Sequence, residues 1–419
     1  MKQGRYKWYV VGMLWCISFF NYADRQAIFS LFPLLQKEMH LTAVQLGLLG
    51  SAFAWVYGFC APIAGTIVDR IRRKTAILGG LNLWSIIAVA TAFSHSFRQL
   101  FSFMAIEGLG ETFYYPASMS LISDYHGKAT RSRAMGTHQT SVYIGTIGGG
   151  FFAGLIGEYY GWRWSFVFFG SLGVLLGLVL ARFLREAPRA AADIEDGINP
   201  GALERMSIWK SFCVVLKTPS VLALMGAFMC ANYVALVLLS WMPKFLYDRF
   251  HLSLAMAGLT ATIFVQLASM CGAPLGGWAA DLMRRRTARG RVLIQAIALF
   301  CGAPFVFLCG RAGSLTGVIL ALIGWGLFKG FYDANIFASV FDVVSPQVRG
   351  STSGLMNMVG WLAGGAAPVI TGLIAMHHGV DLAISLASFA YIGGGILLVI
   401  ALVAFVKGDV ARAQEAVTV

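Results

Sequence analysis

The chain has 419 residues, of which 58% are hydrophobic and only 12% charged, with a formal net charge of +13. Soluble globular domains carry about 25% charged residues, so the composition excludes one of this size and points to an integral membrane protein. The excess of positive charge suggests nucleic acid at first sight, but its distribution along the chain argues against that partner.

A helix needs about 20 mostly apolar residues to cross a bilayer. Twelve such runs are predicted: 8–32, 43–68, 75–94, 100–122, 134–157, 164–184, 219–243, 254–279, 292–310, 315–341, 352–375 and 381–405. With the N-terminus assigned to the cytoplasm, most of the 32 Lys and Arg residues fall in inner segments. The even number of runs then puts both termini inside. The basic residues face an anionic leaflet, and no nucleic acid is required. Residues 1–32 begin as a signal peptide does, but the run is long, contains Asp24-Arg25 and has no small-x-small cleavage site, so it is expected to stay as the first span. The seven cysteines lie in or beside apolar runs without metal-ligand spacing, which gives no disulfide framework and no metal site.

The first run carries Asn21-Tyr22-Ala23-Asp24-Arg25. A charge at the bilayer centre costs at least ~2.5–3.5 kcal/mol, so each should face protein or a water-filled cavity. Adjacent helical positions point about 100° apart, which prevents Asp24 and Arg25 from satisfying each other. Each needs a partner on another helix, whether for function, for a structural ion pair or by snorkelling to headgroups.

Between the second and third runs stands Gly65-Thr66-Ile67-Val68-Asp69-Arg70-Ile71-Arg72-Arg73-Lys74. Asp69 is suited to cap the third span or to pair with a base, while Arg70 to Lys74, Arg73 among them, are expected to anchor to anionic headgroups. A plain topogenic charge cluster is the alternative.

The fourth run holds Gly108-Leu109-Gly110-Glu111 with Glu107 one turn earlier, so both acids share a face. At 1.5 Å per residue, Glu107 lies level with Asp24 and Arg25. An Arg25–Glu107 pair is therefore expected, which leaves Glu111 near the midplane without a cation in its own half. A carboxyl left unpaired in low dielectric favours its protonated form, the property a proton-coupling site needs; otherwise it is bonded to a neighbouring hydroxyl or carbonyl. Tyr114 and Tyr115 follow, and Pro116 should loosen the helix beside Glu111. In the fifth run His138 lies toward the inner end, ahead of the Gly145–Gly150 stretch that permits close packing.

The second half repeats the first. Gly277-Trp278-Ala279-Ala280-Asp281 with Arg284 to Arg286 echoes the Gly65 loop, and His251-Leu252-Ser253…Gly258-Leu259 echoes His40-Leu41-Thr42…Gly47-Leu48 at an offset of 211. Asp342, Arg349 and Gly354 echo Asp124, Arg131 and Gly136 at 218. The expected layout is two six-helix halves, 1–184 and 219–419, joined by a cytoplasmic linker, 185–218, with Pro188, Pro200 and an acidic run at Asp193 to Asp196. The 218 offset carries Glu111 onto Lys329, which either pairs with Asp333 at i,i+4 or seats a substrate carboxylate or phosphate. Asn232, Tyr233, Asn335, Asn357 and Trp361 join Tyr114 and Tyr115 as residues that line a cavity or bond neighbouring helices. Two halves related by an axis along the membrane normal are one layout of a secondary transporter, whose substrate site lies near the midplane between them.

The Gly-x-x-x-Asp-Arg-x-x-Arg-Lys loop, its degenerate copy and the twelve spans resemble the major facilitator superfamily over nearly the whole chain. Asn21-Tyr22-x-Asp24-Arg25 and Gly108-Leu109-Gly110-Glu111 further resemble its anion:cation symporters and its spinster-like lipid transporters. The resemblance implies an all-α fold of 12 transmembrane helices and alternating access. It implies proton coupling through Asp24 and Glu111, and substrate contact at Arg25, Lys329 and the polar residues named above. It also implies gating or structural roles for Glu107, Asp333, Gly65, Asp69, Arg70, Arg73 and Asp281. The symporters usually carry an arginine seven residues before the glutamate that matches Glu111 in the fourth run; here that position is Met104. The fifth run lacks the Gly-Pro pair typical of drug/proton antiporters.

The expected function is proton-coupled symport of a small organic anion, such as a sugar acid, in a bacterial inner membrane. The protein is expected to act as a monomer with protons, substrate and membrane lipid as partners and without a cofactor. The alternative is a spinster-like carrier of lysolipids or other amphiphiles, which Met104 and the abundant phenylalanine suit. A membrane enzyme lacks support from any metal cluster, nucleophile motif or nucleotide loop, and the 14 residues after Phe405 leave little room for a sensor's output domain.

Overall fold

The computed structural model describes residues 3–68, 70–127, 129–188, 192, 214–345 and 348–418, and every regular element among them is a helix. Asp69, Cys213 and the acidic run at 193–196 lie outside the described residues. The chain divides into two compact units: Met1–Leu203 with Met242–Thr262, and Glu204–Trp241 with Ile263–Val419.

The first unit is built on α1 (Gln3–Ser30), α2 (Phe32–Met39), α3 (Ala43–Val68), α4 (Arg73–Thr91), α5 (Phe97–Thr112), α6 (Tyr114–Tyr125), α7 (Arg131–Tyr160) and α8 (Trp162–Phe183). Its core gathers Val10, Leu14 and Ile17 of α1 with Ile77, Leu81 and Trp84 of α4, Tyr114 and Leu121 of α6 and Leu180 of α8. Among the described residues ten helical segments are long and apolar enough to cross a membrane. The ten leave out α1, where Asp24 and Arg25 interrupt an otherwise apolar sequence, and the α5–α6 pair, where Glu107 and Glu111 do the same and the helix is also broken. Pro116 accounts for that break: it has no N–H, and its ring cannot pass the carbonyl of Thr112 four residues earlier. The chain turns at Phe113 (φ −77°, ψ −23°) and resumes as α6.

The remaining elements are α9 (Pro219–Phe250), α10 (Leu254–Arg286), α11 (Gly290–Arg311), α12 (Leu315–Asp333), α13 (Ile336–Val343), α14 (Arg349–His378), α15 (Val380–Leu386), α16 (Ser388–Ala404) and α17 (Val406–Thr418). Helix α12 is interrupted before α13 much as α5 is before α6.

The sequence repeat is written into the backbone. Among the described residues, positive φ occurs at His40 (51°) and His251 (52°), and at Gly161 (88°) and Gly379 (86°). The first pair is separated by the 211 offset and the second by the 218 offset. Both serine caps obey the same rule: the Ser96 hydroxyl accepts from the Gln99 N–H, and the Ser314 hydroxyl accepts from the Gly317 N–H. Ion pairs repeat as well. Arg73 of α4 meets Asp124 of α6 at 2.7 Å, and at the matching offsets Arg284 of α10 meets Asp342 of α13.

These contacts correct the expectation that Arg73 and Lys74 reach for headgroups. Arg73 holds Asp124, and the Lys74 ammonium donates to the Ala181 carbonyl at 2.8 Å. The start of α4 is capped from the far end of the unit, by Glu186, whose carboxylate oxygens accept from the N–H groups of Arg73 (2.8 Å) and Lys74 (2.7 Å). The first turn of a helix has free N–H groups and a partial positive charge, so a carboxylate is the natural partner there. Arg70 is exposed, and a Cβ added at Gly65 would meet open space. In the second unit Asp281 accepts from Arg291 at 2.9 Å.

Candidate functional site

Four charged residues of the first unit, Asp24 and Arg25 of α1 and Glu107 and Glu111 of α5, gather in one buried cluster beside α3. Helix α1 is seated on α7 by glycines: a Cβ on Gly149 would come within 2.2 Å of the Ala23 carbonyl oxygen, and one on Gly145 within 2.6 Å of the Phe19 carbonyl oxygen. Helix α5 is seated on α3 in the same way, since a Cβ on Gly108 would meet the Phe53 carbonyl oxygen at 2.6 Å. These approaches fix the backbones that carry Asp24, Arg25, Glu107 and Glu111. Helix α1 runs antiparallel to α5–α6. His126 meets the Lys7 carbonyl at 3.2 Å, Tyr114 the Leu14 carbonyl at 2.6 Å, and Arg25 reaches Glu111.

Arg25 bonds Glu111, donating to Oε2 from Nη2 at 2.5 Å and from Nε at 3.1 Å, with Nη2 also 3.4 Å from Asn21 Oδ1. The guanidinium lies against three aromatic rings, Tyr22 (4.7 Å), Phe53 (4.7 Å) and Tyr57 (5.0 Å). Such cation–π contacts hold the planar charge where water is scarce. Its side chain is 12% exposed and that of Glu111 is 0% exposed. The expected Arg25–Glu107 pair is thus replaced by Arg25–Glu111. The reason is the lean of helical side chains toward the N-terminus of their own helix. On antiparallel helices, Arg25 leans toward the C-terminal end of α5 while Glu111 leans back toward it, and they meet. A depth counted along the axis alone misses one turn.

The short Asp24 side chain faces the acid that the arginine bypasses. The Asp24 and Glu107 side chains are neighbours, close enough to act on each other's charge. Both residues are buried, and Asp24 Oδ1 has no hydrogen-bond partner among the described residues. A carboxylate only accepts, so two carboxyls can bond each other only when one of them holds a proton. Two acids and an acid–base pair therefore stand side by side, four ionisable groups with room for at least one proton.

Met104, three residues before Glu107, is buried at 3% exposure. Tyr114 is fully buried; its hydroxyl donates to the Leu14 carbonyl and so accepts from His138 Nε2 at 2.9 Å. His138 is buried too. Tyr115 is 38% exposed. Phe53 and Tyr57 carry no charge to mark them in the sequence; their signal there is a spacing of one turn within an aromatic-rich stretch that also holds Trp55 and Phe59.

Among the described residues, those singled out in the second half are not gathered into a comparable cluster of charge pairs. Lys329 pairs with Asp333 along α12, with side chains 17% and 42% exposed. Asn335 is buried, and its amide donates to the carbonyls of Gly276 (3.0 Å) and Phe331 (2.9 Å). Asn232 and Asn357 donate to carbonyls four residues earlier, Phe228 (2.9 Å) and Ser353 (3.2 Å). Tyr233 and Trp361 are half-buried. Tyr114 and these asparagines are thus all bonded to helix carbonyls.

Residues 14–368 and 245–417 match the family model described as Major Facilitator Superfamily. The hexuronate transporter of Bacillus subtilis is 25% identical over 88% of this chain and 88% of its own length. Human protein spinster homolog 1 is 26% identical over 87% of this chain and 72% of its own. The solved structure of a bacterial homologue of the human lysosomal transporter Spinster, inward-facing and unoccupied, superposes with a TM-score of 0.81 at 22% identity and covers 98% of both chains.

Proposed function

This chain belongs to the Major Facilitator Superfamily, and from that premise we propose that it is a secondary active transporter that moves a small organic anion, of the sugar-acid class, together with protons. We read α1 and the α5–α6 pair as two crossings beyond the ten apolar segments, which makes twelve, with both termini in the cytoplasm of a bacterial cell.

The observation that carries the reading is the buried Arg25–Glu111 pair beside the Asp24–Glu107 carboxyl pair. Arg25 is the cation that an anionic substrate would need, and Glu111 holds it. Protonation of Glu111 removes the competing charge and frees the guanidinium for a substrate carboxylate, so proton and anion favour each other's binding. That is linkage of the kind a symporter requires. Asp24 and Glu107 hold a further proton next to that exchange. The relative named as a hexuronate transporter supports the sugar-acid class.

The test is uptake of galactonate and glucuronate into proteoliposomes with an imposed pH gradient. Wild-type protein should accumulate at least one of them, while Glu111→Gln and Asp24→Asn should lose accumulation and retain exchange. Accumulation by both variants at the wild-type level would sink the proposal. The amphiphile-carrier reading is favoured by one observation, the buried Met104 where anion-binding relatives place an arginine, and lysolipid uptake is the parallel assay.

A further inference from the structure

A second site lies away from the charged interior, at the end of the first unit where α4 begins and α8 finishes. Helices α4 and α8 pack tightly along their length: a Cβ on Gly170 would meet the Ser85 carbonyl at 2.6 Å, and one on Gly177 would meet the Asn82 amide at 2.7 Å. Beyond Gly177 the contact opens. Leu184 leaves the helix with extended backbone (φ −73°, ψ 126°), and a cleft of about 740 Å³ forms between the helix ends. Its rim carries Arg72, Lys74, Arg182 and Arg185, and its inner wall runs through Leu78 to Asn82.

The charges there are unevenly used. Lys74 is bonded to the Ala181 carbonyl, and Arg185 lies over the Tyr6 ring at 5.4 Å. Arg72 and Arg182 are exposed and make no ion pair among the described residues. Among the described residues that line the cleft the single acid, Glu186, has each oxygen occupied by a backbone N–H at the start of α4. It therefore caps the helix and leaves the guanidiniums uncompensated. Among the described residues an excess of three positive charges rims a cleft whose depth, from residue 72 to residue 82, is ~15 Å along the helix.

The same two helices continue into an apolar, outward-facing band: Leu83 and Ile86 on α4, and Leu175, Leu178 and Phe183 on α8, between 40% and 65% exposed. A basic rim above such a band matches an amphiphile with an anionic head and apolar tails. Clusters of Lys and Arg at the inner ends of spans attract anionic lipid, and the positive-inside count puts this end at the inner leaflet. We propose that the α4–α8 cleft is a binding site for an anionic phospholipid, its phosphate held between Arg72 and Arg182 and its acyl chains laid along Leu83, Ile86 and Leu178. This site is independent of the transport substrate.

The experiment is native mass spectrometry of the full chain, extracted from nanodiscs of phosphatidylcholine doped with phosphatidylglycerol. Arg72→Gln with Arg182→Gln is compared with Arg285→Gln with Arg286→Gln, which removes the same charge from an exposed cluster in the second unit. Wild-type and control protein should retain a phosphatidylglycerol adduct over phosphatidylcholine, and the α4–α8 variant should lose it at least tenfold. Equal loss in both variants would reduce the effect to general charge attraction and overturn the site. No loss in either would overturn it outright. Soluble glycerol phosphate serves as a third arm: if it displaces the adduct at millimolar concentration, the cleft reads a free phosphate and the lipid assignment fails. Thermal unfolding of both variants in the same detergent checks that each is folded.

Discussion

Glu111 and Lys329 occupy equivalent places in the repeat, yet the structure treats them in opposite ways. Glu111 reaches across to Arg25 on another helix, with both side chains nearly sealed from solvent. Lys329 pairs one turn along its own helix with Asp333, whose side chain is 42% exposed. The same backbone position thus holds a cross-helix charge pair in one half and a local one in the other. A buried pair is expensive to break because the survivor is stranded, whereas an exposed i,i+4 pair contributes little. The first is built to respond to the charge state of its partner, and the second is built to be rearranged cheaply.

The largest expected effect comes from breaking the first pair. Arg25→Met should lower stability by about 3–5 kcal/mol, because Glu111 keeps a buried place without its cation. Adding Glu111→Met should recover most of that loss, while adding Glu107→Met in its place should not. Unfolding midpoints of the single and double variants decide the matter, and strictly additive losses would show that the pair is not the unit.

An intermediate effect separates the two repeat-related ion pairs at the helix ends. Arg73 and Asp124 are 12% and 4% exposed, whereas Asp342 is 16% exposed and shared by Arg284 and Arg291, the latter also bonded to Asp281. Asp124→Asn should therefore cost about 2–3 kcal/mol and Asp342→Asn about 1. Equal midpoints for the two variants would mean that the difference in burial has no energetic consequence.

The smallest stability effect belongs to Lys329→Gln, expected to be about 0.5 kcal/mol or less. Its value is in binding. If Lys329 exchanges Asp333 for a substrate carboxylate, the variant should lose at least tenfold in sugar-acid affinity, since a charge-assisted bond is worth about 1.5–3 kcal/mol. Asp333→Asn should raise affinity by releasing the lysine. Unchanged affinity in both folded variants would leave Arg25 to carry the anion alone and favour the amphiphile reading.

Much of the molecule was legible in the residues because it depends on local chemistry. Apolar run lengths marked where helices lie, and Pro116 marked the break that separates α5 from α6. The 211 and 218 offsets, read from sequence echoes, recur as the paired positive φ at His40 and His251, and at Gly161 and Gly379. The isolated charges Asp24, Arg25, Glu107 and Glu111 announced a site because apolar surroundings make each one costly.

What the residues left open was the choice of partners. One turn of a helix separates Glu107 from Glu111, and which of them meets Arg25 depends on the lean of side chains on antiparallel neighbours and on how closely Gly108 and Gly149 let the backbones approach. The aromatic enclosure by Phe53 and Tyr57, and the return of Glu186 to cap α4, join residues far apart in the chain that no local pattern links. Composition and run length determined by themselves that this is a chain of membrane helices with ionisable groups among its apolar runs, because burial of apolar surface is read residue by residue. Only the tertiary structure decided which acid holds the arginine and which acids lie beside each other, because a hydrogen bond is set by a few ångströms between helices and not by position along one.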